Sequence, residues 1–326
     1  MAQTSESMRW LILIAAVAAT GMLARAQDTI KVAVETVQVH ATVTDFNGRF
    51  VTNLKSGDFK VYEDGKEQKV DAFTSDDSPL SVGILFDVNG LMGDNFALAK
   101  QAALTFLKTG NFNNEYFLIE FNNQPQIAAD FTRDLETLEN HVPRLQKTKE
   151  SSAIDAINLG LEKLRNGSNP RKVLLLFSSG GYSRNEHRTA QVQNLARQLD
   201  VQIFGVTLVM PAMSATNADP MECAGVTPGV CGVHVLGSGF ETGLDIISSV
   251  GGEGFASDSA PDFVTISRRI GVALRNQYIL GYQSTNPVHD GKYRSLQVKL
   301  AIRDVPDLKV HTRDGYYAFG TEGGQR

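Results

Sequence analysis

The chain shows two kinds of hydrophobic pattern, which divide it into three segments. From Thr36 to Asp45 apolar and polar residues alternate, and a period of two is typical of a half-buried β-strand. From Ser81 onward, short apolar runs alternate with stretches whose apolar residues recur at helical spacing. Past Gln277 the strand period returns. The pattern therefore predicts an α/β segment framed by two β segments.

The first β segment contains turn signals as well as strands. Asn47-Gly48 and Asp64-Gly65 are dipeptides typical of tight turns between antiparallel strands. They separate the first strand from two further predicted strands, Phe59 to Tyr62 and Gln68 to Phe73. This segment is therefore predicted to form a small antiparallel β module.

The middle segment alternates predicted strands with predicted helices. The predicted strands are apolar stretches or stretches rich in residues that favour strands, and they are Ser81 to Asp87, Glu115 to Phe121, Pro125 to Phe131, Val173 to Phe177, Val201 to Leu208 and Gly254 to Ala256. The helices have apolar residues three or four positions apart, around Phe96 to Leu107, Leu135 to Leu145, Ile154 to Leu164, Val192 to Leu199, Thr242 to Val250 and Phe263 to Ala273. This order predicts a central, mostly parallel sheet with helices on both faces.

The changes of pattern set the expected domain boundaries. They are 1–26 for a targeting segment, 27–78 for the N-terminal β module, 79–276 for the α/β domain, 277–318 for the C-terminal strands and 319–326 for a tail. A sheet of two or three strands is only marginally stable by itself. We therefore expect the C-terminal strands to pair with the N-terminal ones, forming one β-sandwich into which the α/β domain is inserted.

The N-terminus has the features of a cleaved signal peptide. Arg9 precedes the apolar run WLILIAAVAATGML, and Ala24-Arg25-Ala26 has the small residues that a signal peptidase requires. Because the apolar run is short for a membrane span, we expect cleavage after Ala26, export to the periplasm or the medium, and no membrane span in the mature chain. The alternative is an anchor helix that stays attached.

Charge and cysteine content narrow the classes of partner and compartment. The formal net charge is -5 and no long basic run is present, so nucleic acid is not expected as a partner. The two cysteines, Cys223 and Cys231, lie close together without the spacing of a zinc motif. In an oxidising compartment they are expected to form a local disulfide, and the alternative is two free thiols.

The stretch Ser81 to Met92 supplies the main candidate for chemistry. Its apolar run ends at a single carboxylate, Asp87, which is followed by Asn89 and Gly90. Ligands of open α/β sheets bind at the carboxyl ends of the parallel strands. The sequence therefore predicts a functional site where this strand ends.

Several motifs resemble those of a known family. The order FDVNG, a helix, two close strands, SSAIDAI and VLLLFSSGG resembles a von Willebrand factor A domain. The flanking motifs DFKVYEDGKEQKV, YILGYQSTNPVHDGKYRSLQVKL and RDGYYA resemble secreted A-domain-related proteins described from Acidobacteria. The resemblance implies a Rossmann-like α/β domain in an extracytoplasmic setting.

The resemblance also implies a metal-ion-dependent adhesion site, in which hydroxyls and carboxylates hold a divalent ion. Asp87 matches the first aspartate of that motif and Asn89 stands at the first serine, whereas Leu91 replaces the second serine. Ser151 stands at the threonine, and Ser179 replaces the second aspartate. We expect this degenerate site to bind no cofactor. The alternative is binding of Mg²⁺ or Mn²⁺ through Asp87, Asn89 and Ser151.

These observations favour an exported, non-enzymatic protein-binding or adhesion module that contacts a protein or surface ligand. The expected contact residues surround the ends of the parallel strands, and they are Asp87, Asn89, Gly90, Asp94, Ser151, Ser152, Ser178, Ser179 and Tyr182. The loop from Met210 to Gly239 lies beside them and is either functional or a tolerated insertion. Alternatives are metal-dependent ligand binding, a hydrolase that uses Ser178 or Ser179, and a scaffold in an envelope assembly.

Overall fold

Three β-sheets organise the part of the chain that this computed structural model describes, namely residues 36–46, 49–75, 77–88, 96–141, 152–178, 186–208, 245–257, 260–302 and 308–319. The strands are β1 (Thr36–Thr44), β2 (Phe59–Glu63), β3 (Lys66–Gln68), β4 (Val70–Thr74), β5 (Leu80–Asp87), β6 (Glu115–Phe121), β7 (Gln126–Thr132), β8 (Arg171–Ser178), β9 (Val201–Leu208), β10 (Gly254–Ser257), β11 (Tyr278–Gln283), β12 (Tyr293–Leu300), β13 (Lys309–His311) and β14 (Gly315–Tyr317). The helices are α1 (Phe96–Thr109), α2 (Leu135–His141), α3 (Ala153–Leu164), α4 (Glu186–Gln198) and α5 (Ala260–Arg275).

The largest sheet has six strands in the order β10-β9-β8-β5-β6-β7. All its pairings are parallel except that of β7, which runs antiparallel to β6. Every residue of β5 is buried, because this strand lies between β8 and β6 and is covered on both faces. The continuous apolar run that predicted a buried parallel strand is therefore explained by its central position.

Helices cover the two faces of this sheet and form two separate hydrophobic cores. Val82, Ile84 and Phe86 of β5 pack into the core that includes α1 and α5. Leu85 packs into the opposite core, which includes α3 and α4. Adjacent residues of a strand point to opposite faces, so one strand contributes to both cores.

The other two sheets form a β-sandwich that combines both ends of the described chain. Their orders are β13-β1-β11-β4 and β14-β12-β2-β3. β11 runs antiparallel to β1 and β4, and β12 runs antiparallel to β2. A third core, which includes Val39, Phe59, Tyr278 and Val298, fills the space between these sheets. The predicted fold class, a mostly parallel α/β sheet flanked by a β-sandwich of N- and C-terminal strands, is confirmed.

The prediction that β1 is half-buried is wrong for its second half. Its apolar positions face the sandwich core, but the polar residues His40, Thr42 and Thr44 are also buried. The polar face is covered because it packs against the base of the α/β domain. There Gln277 Nε2 donates to Thr42 Oγ1 at 3.3 Å, and Arg171 donates to Gln277 Oε1 at 2.7 Å.

Two buried carboxylates fix loops and strands through hydroxyl groups. Glu63 of β2 accepts hydrogen bonds from Tyr282, Tyr316 and Ser284, which all lie in the C-terminal part of the chain. Glu115 of β6 accepts hydrogen bonds from the hydroxyl of Ser168, in the turn before β8, and from the hydroxyl of Ser81, in β5. These bonds connect segments that are distant in sequence.

Several predictions concern parts of the chain outside the described residues. These are the signal peptide, the Cys223–Cys231 disulfide, the loop from Met210 to Gly239 and the C-terminal tail. In the part that the structure describes, no helix has the length and apolar character needed to span a membrane.

Candidate functional site

The carboxyl ends of three neighbouring parallel strands carry polar residues at one level of the sheet. β5 ends at Asp87, β8 ends at Ser178, and Thr207 is the penultimate residue of β9. Phe86 lies opposite Phe177, so the residues that follow them, Asp87 and Ser178, are adjacent at the same edge. Ser178 lies opposite Thr207. Polar groups of β5, β8 and β9 therefore lie at one level of this edge.

These polar groups are buried, which corrects the expectation that they form a solvent-exposed rim. Asp87 and Ser178 have 0% of their surface exposed, and Thr207 has 4%. The preceding residues, Phe86 and Phe177, point to the opposite face of the sheet, where their ring centroids are 5.7 Å apart. Neither Asp87 nor Ser178 can therefore touch a protein ligand directly in this conformation.

An exposed polar cluster lies nearby, at the start of α3. Ser152 is the N-cap residue of α3, and its Oγ donates to Asp155 Oδ2 at 2.5 Å instead of capping a backbone N–H group. Arg188, in the first turn of α4, donates from Nη1 to Asp155 Oδ1 at 2.6 Å. We name these three residues the rim cluster. It connects the starts of two adjacent helices.

The rim cluster is accessible to a partner, unlike the strand ends. The side chains of Arg188 and Asp155 are 57% and 39% exposed. Ser152 was predicted as a contact residue, whereas Asp155 and Arg188 were not. The apolar periodicity of α4 gives no reason to select Arg188. The one available signal was that α4 begins near Glu186, because the first residues of this helix lie close to the carboxyl edge of the sheet.

The remaining predicted site residues cannot be placed. Those that lie outside the described residues are Asn89, Gly90, Asp94, Ser151, Ser179 and Tyr182. The structure therefore locates three of the predicted positions, and it divides them into the buried Asp87 and Ser178 and the partly exposed Ser152.

The described donor groups match a divalent-metal site only in part. Mg²⁺ prefers six oxygen ligands and is commonly held by one or two carboxylates with waters. The strand ends offer one carboxylate, Asp87, beside the hydroxyl-bearing Ser178 and Thr207. Among the residues that the structure describes, no group of three or more His, Cys, Asp or Glu side chains could hold an ion.

Comparison with known protein families identifies the α/β domain. Residues 82–181 match the model described as von Willebrand factor type A domain. The α/β domain is therefore related to von Willebrand factor type A domains over these residues, and we refer to it as the A-type domain. The match begins in β5, passes through α1 and α3, and ends just beyond β8, so it includes the ends of β5 and β8 with Ser152 and Asp155, but neither Thr207 nor Arg188.

Solved structures similar to this chain include A-type domains and a pilin. BatB from Bacteroides thetaiotaomicron shares 17% identity over 60% of this chain and 98% of that one, with a TM-score of 0.41. A von Willebrand factor type A protein from Catenulispora acidiphila shares 8% identity over 90% of this chain and 76% of that one, with a TM-score of 0.47. The PilB minor pilin from Streptococcus sanguinis shares 10% identity over 61% of this chain and 62% of that one, with a TM-score of 0.42. A search of curated proteins gives no match.

Proposed function

We propose that the protein is an exported, non-enzymatic binding module that contacts a protein ligand through the exposed part of the carboxyl edge of its A-type domain. The proposal is supported by one observation above all. The rim cluster presents an ordered arginine–carboxylate pair to solvent beside the end of the parallel sheet, where ligands of open α/β sheets bind.

The chemistry of the rim cluster suits recognition of a protein surface. An arginine held by a carboxylate keeps its planar guanidinium in a defined orientation, and guanidinium groups are enriched at the centres of protein interfaces. Ser152 fixes the other oxygen of the same carboxylate, so both charges are positioned before a partner arrives. Preorganised groups lose less conformational entropy on binding.

We propose further that ligand binding needs no metal ion and that the protein is not an enzyme. Leu91 has no atom that could ligate a metal, and Ser179 lacks a negative charge, so two of the five ligand positions of the adhesion motif are altered in this way. The burial of Ser178 supports a non-enzymatic role, because a nucleophile must reach its substrate. The second candidate is Mg²⁺- or Mn²⁺-dependent binding, in which Asp87 would act through an ion instead of touching the ligand.

Site-specific photo-crosslinking tests the location and the metal dependence together. A benzophenone amino acid is placed at His187, which is exposed and next to Arg188, and the protein is incubated with the envelope and secreted fractions of the producing organism. The same amino acid at Lys60, an exposed position on the sandwich, is the matched control. We expect a protein adduct at His187 only, at least tenfold weaker in Arg188→Glu and unchanged by EDTA.

Each other outcome points to a different conclusion. Adducts of equal yield at His187 and Lys60, or none at His187, would contradict binding at the rim. An adduct at His187 that EDTA removes would favour the metal-dependent candidate, and Asp87→Ala should then remove it as well.

A further inference from the structure

His40 occupies an unusual position between the β-sandwich and the A-type domain. It lies on the polar face of β1 and only 9% of its surface is exposed. The face on which it lies packs against the base of the central sheet, near the start of β8 and the turn before β9. Among the residues that the structure describes, none hydrogen-bonds its Nδ1 atom.

The charged groups that face His40 come from three other elements. They are Arg171 at the start of β8, Asp200 in the turn before β9, and Arg313 in the segment between β13 and β14. Asp200 is already paired with Arg313, whose Nη1 lies 2.5 Å from Asp200 Oδ1. Arg313 also donates from Nη2 to the carbonyl oxygen of Gln38 at 2.6 Å, so it connects β1 to the A-type domain.

Protonation of His40 is therefore unfavourable in this environment. It would put a positive charge beside two guanidinium groups, and Asp200, the one carboxylate among the described residues that faces the ring, is already paired with Arg313. The charge would also be removed from water, which costs free energy when a buried group has no hydrogen-bond partner. Nδ1 of the imidazolium would gain a water partner only if β1 moved away from the base of the A-type domain.

We propose that His40 makes this contact sensitive to acid, so that protonation of the buried ring releases the polar face of β1 from the A-type domain. The β-sandwich is held in a fixed orientation at neutral pH and is loosened in acidic surroundings. The histidine acts as a switch at the junction between the two parts of the molecule, apart from the rim cluster.

The direction and size of the effect follow from proton linkage. Burial lowers the pKa of His40 from 6.5 to about 4; Asp200 opposes this shift, and Arg171 and Arg313 add to it. The open state binds the proton with an ordinary pKa, so stability of the contact is lost as pH falls from 6.5 towards 4. Lowering the pH from 7.5 to 5 should raise the equilibrium constant for opening about 30-fold.

Hydrogen exchange of the full chain tests the proposal. The reporter is the backbone amide of Asp314, whose N–H donates to the carbonyl oxygen of Ser249 at 3.4 Å across the junction. Its exchange is measured at pH 7.5 and pH 5 and corrected for the intrinsic effect of pH on exchange. We expect protection of this amide to fall about 30-fold in the wild type, and to fall much less in His40→Gln, which has no proton to gain. His289→Gln, which changes an exposed histidine, is the matched control and should behave like the wild type.

Two results would overturn the proposal: an equal loss of protection in His40→Gln and wild type, or no loss in wild type. If His40→Gln does not fold, a histidine-specific NMR titration of the wild-type protein replaces it. A His40 ring that titrates near 6.5 while the Asp314 amide stays protected would refute the mechanism, whereas titration that coincides with loss of Asp314 protection would support it.

Discussion

Replacing Tyr282 with phenylalanine removes one hydrogen bond from a buried carboxylate and leaves the packing of the ring intact. The Tyr282 hydroxyl donates to Glu63 Oε2 at 2.6 Å, and only 3% of the surface of Glu63 is exposed. Two other hydroxyls, those of Tyr316 at 2.9 Å and Ser284 at 2.5 Å, donate to the same carboxylate. The substitution therefore tests a connection between the N-terminal and C-terminal strands of the sandwich.

The expected loss of stability is about 2 kcal/mol, within the range of about 1.5–3 kcal/mol for a hydrogen bond to a charged group. A complete desolvation penalty is not expected, because Glu63 keeps two of its three donors. The matched control is Tyr62→Phe. Its hydroxyl contacts the exposed Glu67 at 3.4 Å, so its loss should cost less than about 0.5 kcal/mol.

Denaturant unfolding at pH 7 measures both variants against the wild type, with the midpoint and the slope compared for each. A lower midpoint for Tyr282→Phe with an unchanged slope would confirm the expected loss. If Tyr282→Phe and Tyr62→Phe were equally stable, Glu63 would not be a buried charge that depends on these hydroxyls, and the proposed connection across the sandwich would be wrong.

Three further predictions address the A-type domain. Gly252→Ala should prevent accumulation of folded protein, because a Cβ atom there would lie 1.7 Å from the carbonyl oxygen of Ile203; soluble yield and circular dichroism check this. Arg188→Met should lower the unfolding free energy by less than about 1 kcal/mol, because its ion pair is exposed; a larger loss in denaturant unfolding would give it a structural role. The third prediction concerns Glu115. Burial alone would raise the pKa of its carboxyl group, but hydrogen bonds from serine hydroxyls outweigh burial and lower this pKa below 4.5. The stability difference between Glu115→Gln and wild type should therefore be complete above pH 4.5 and shrink as pH falls through the lowered pKa, as unfolding midpoints would show.

The sequence predicted the fold well where one physical signal dominated. The continuous apolar run from Val82 to Phe86 has no polar face, which favours a strand covered on both sides. Pairing of the N- and C-terminal strands followed from the instability of small isolated sheets. The first signal is local in sequence, and the second depends only on the number of strands. Neither requires knowledge of side-chain contacts.

The polar face of β1 shows why the rest was not predictable. Alternation of polar and apolar residues indicates a strand with one face in water, and that inference fails when distant residues supply buried hydrogen-bond partners. Thr42 bonds to Gln277, and Gln277 bonds to Arg171, so these partners are far apart in sequence. A local sequence pattern does not predict a hydrogen-bond network between such distant residues.

For the candidate site, the sequence indicated one end of the sheet and not the surroundings of its side chains. The structure places Asp87, Ser178 and Thr207 at one level of that end. The burial of Asp87 depends on what covers the strand ends, which residue types do not reveal. The pairing of Asp155 with Arg188 depends on the packing of α3 against α4, which a linear sequence does not contain.

The interleaving of the sandwich strands has a consequence for the order of events in folding. β1 and β4 are both neighbours of β11, which is synthesised only after the whole A-type domain. Until then their unpaired backbone groups are open to association with other chains. The A-type domain, whose strands are contiguous along the chain, can complete its own sheet first and then bring the two ends of the polypeptide together. A nascent chain that stalls before Tyr278 would therefore contain a folded A-type domain, whereas β1 and β4 would lack their pairing partner β11.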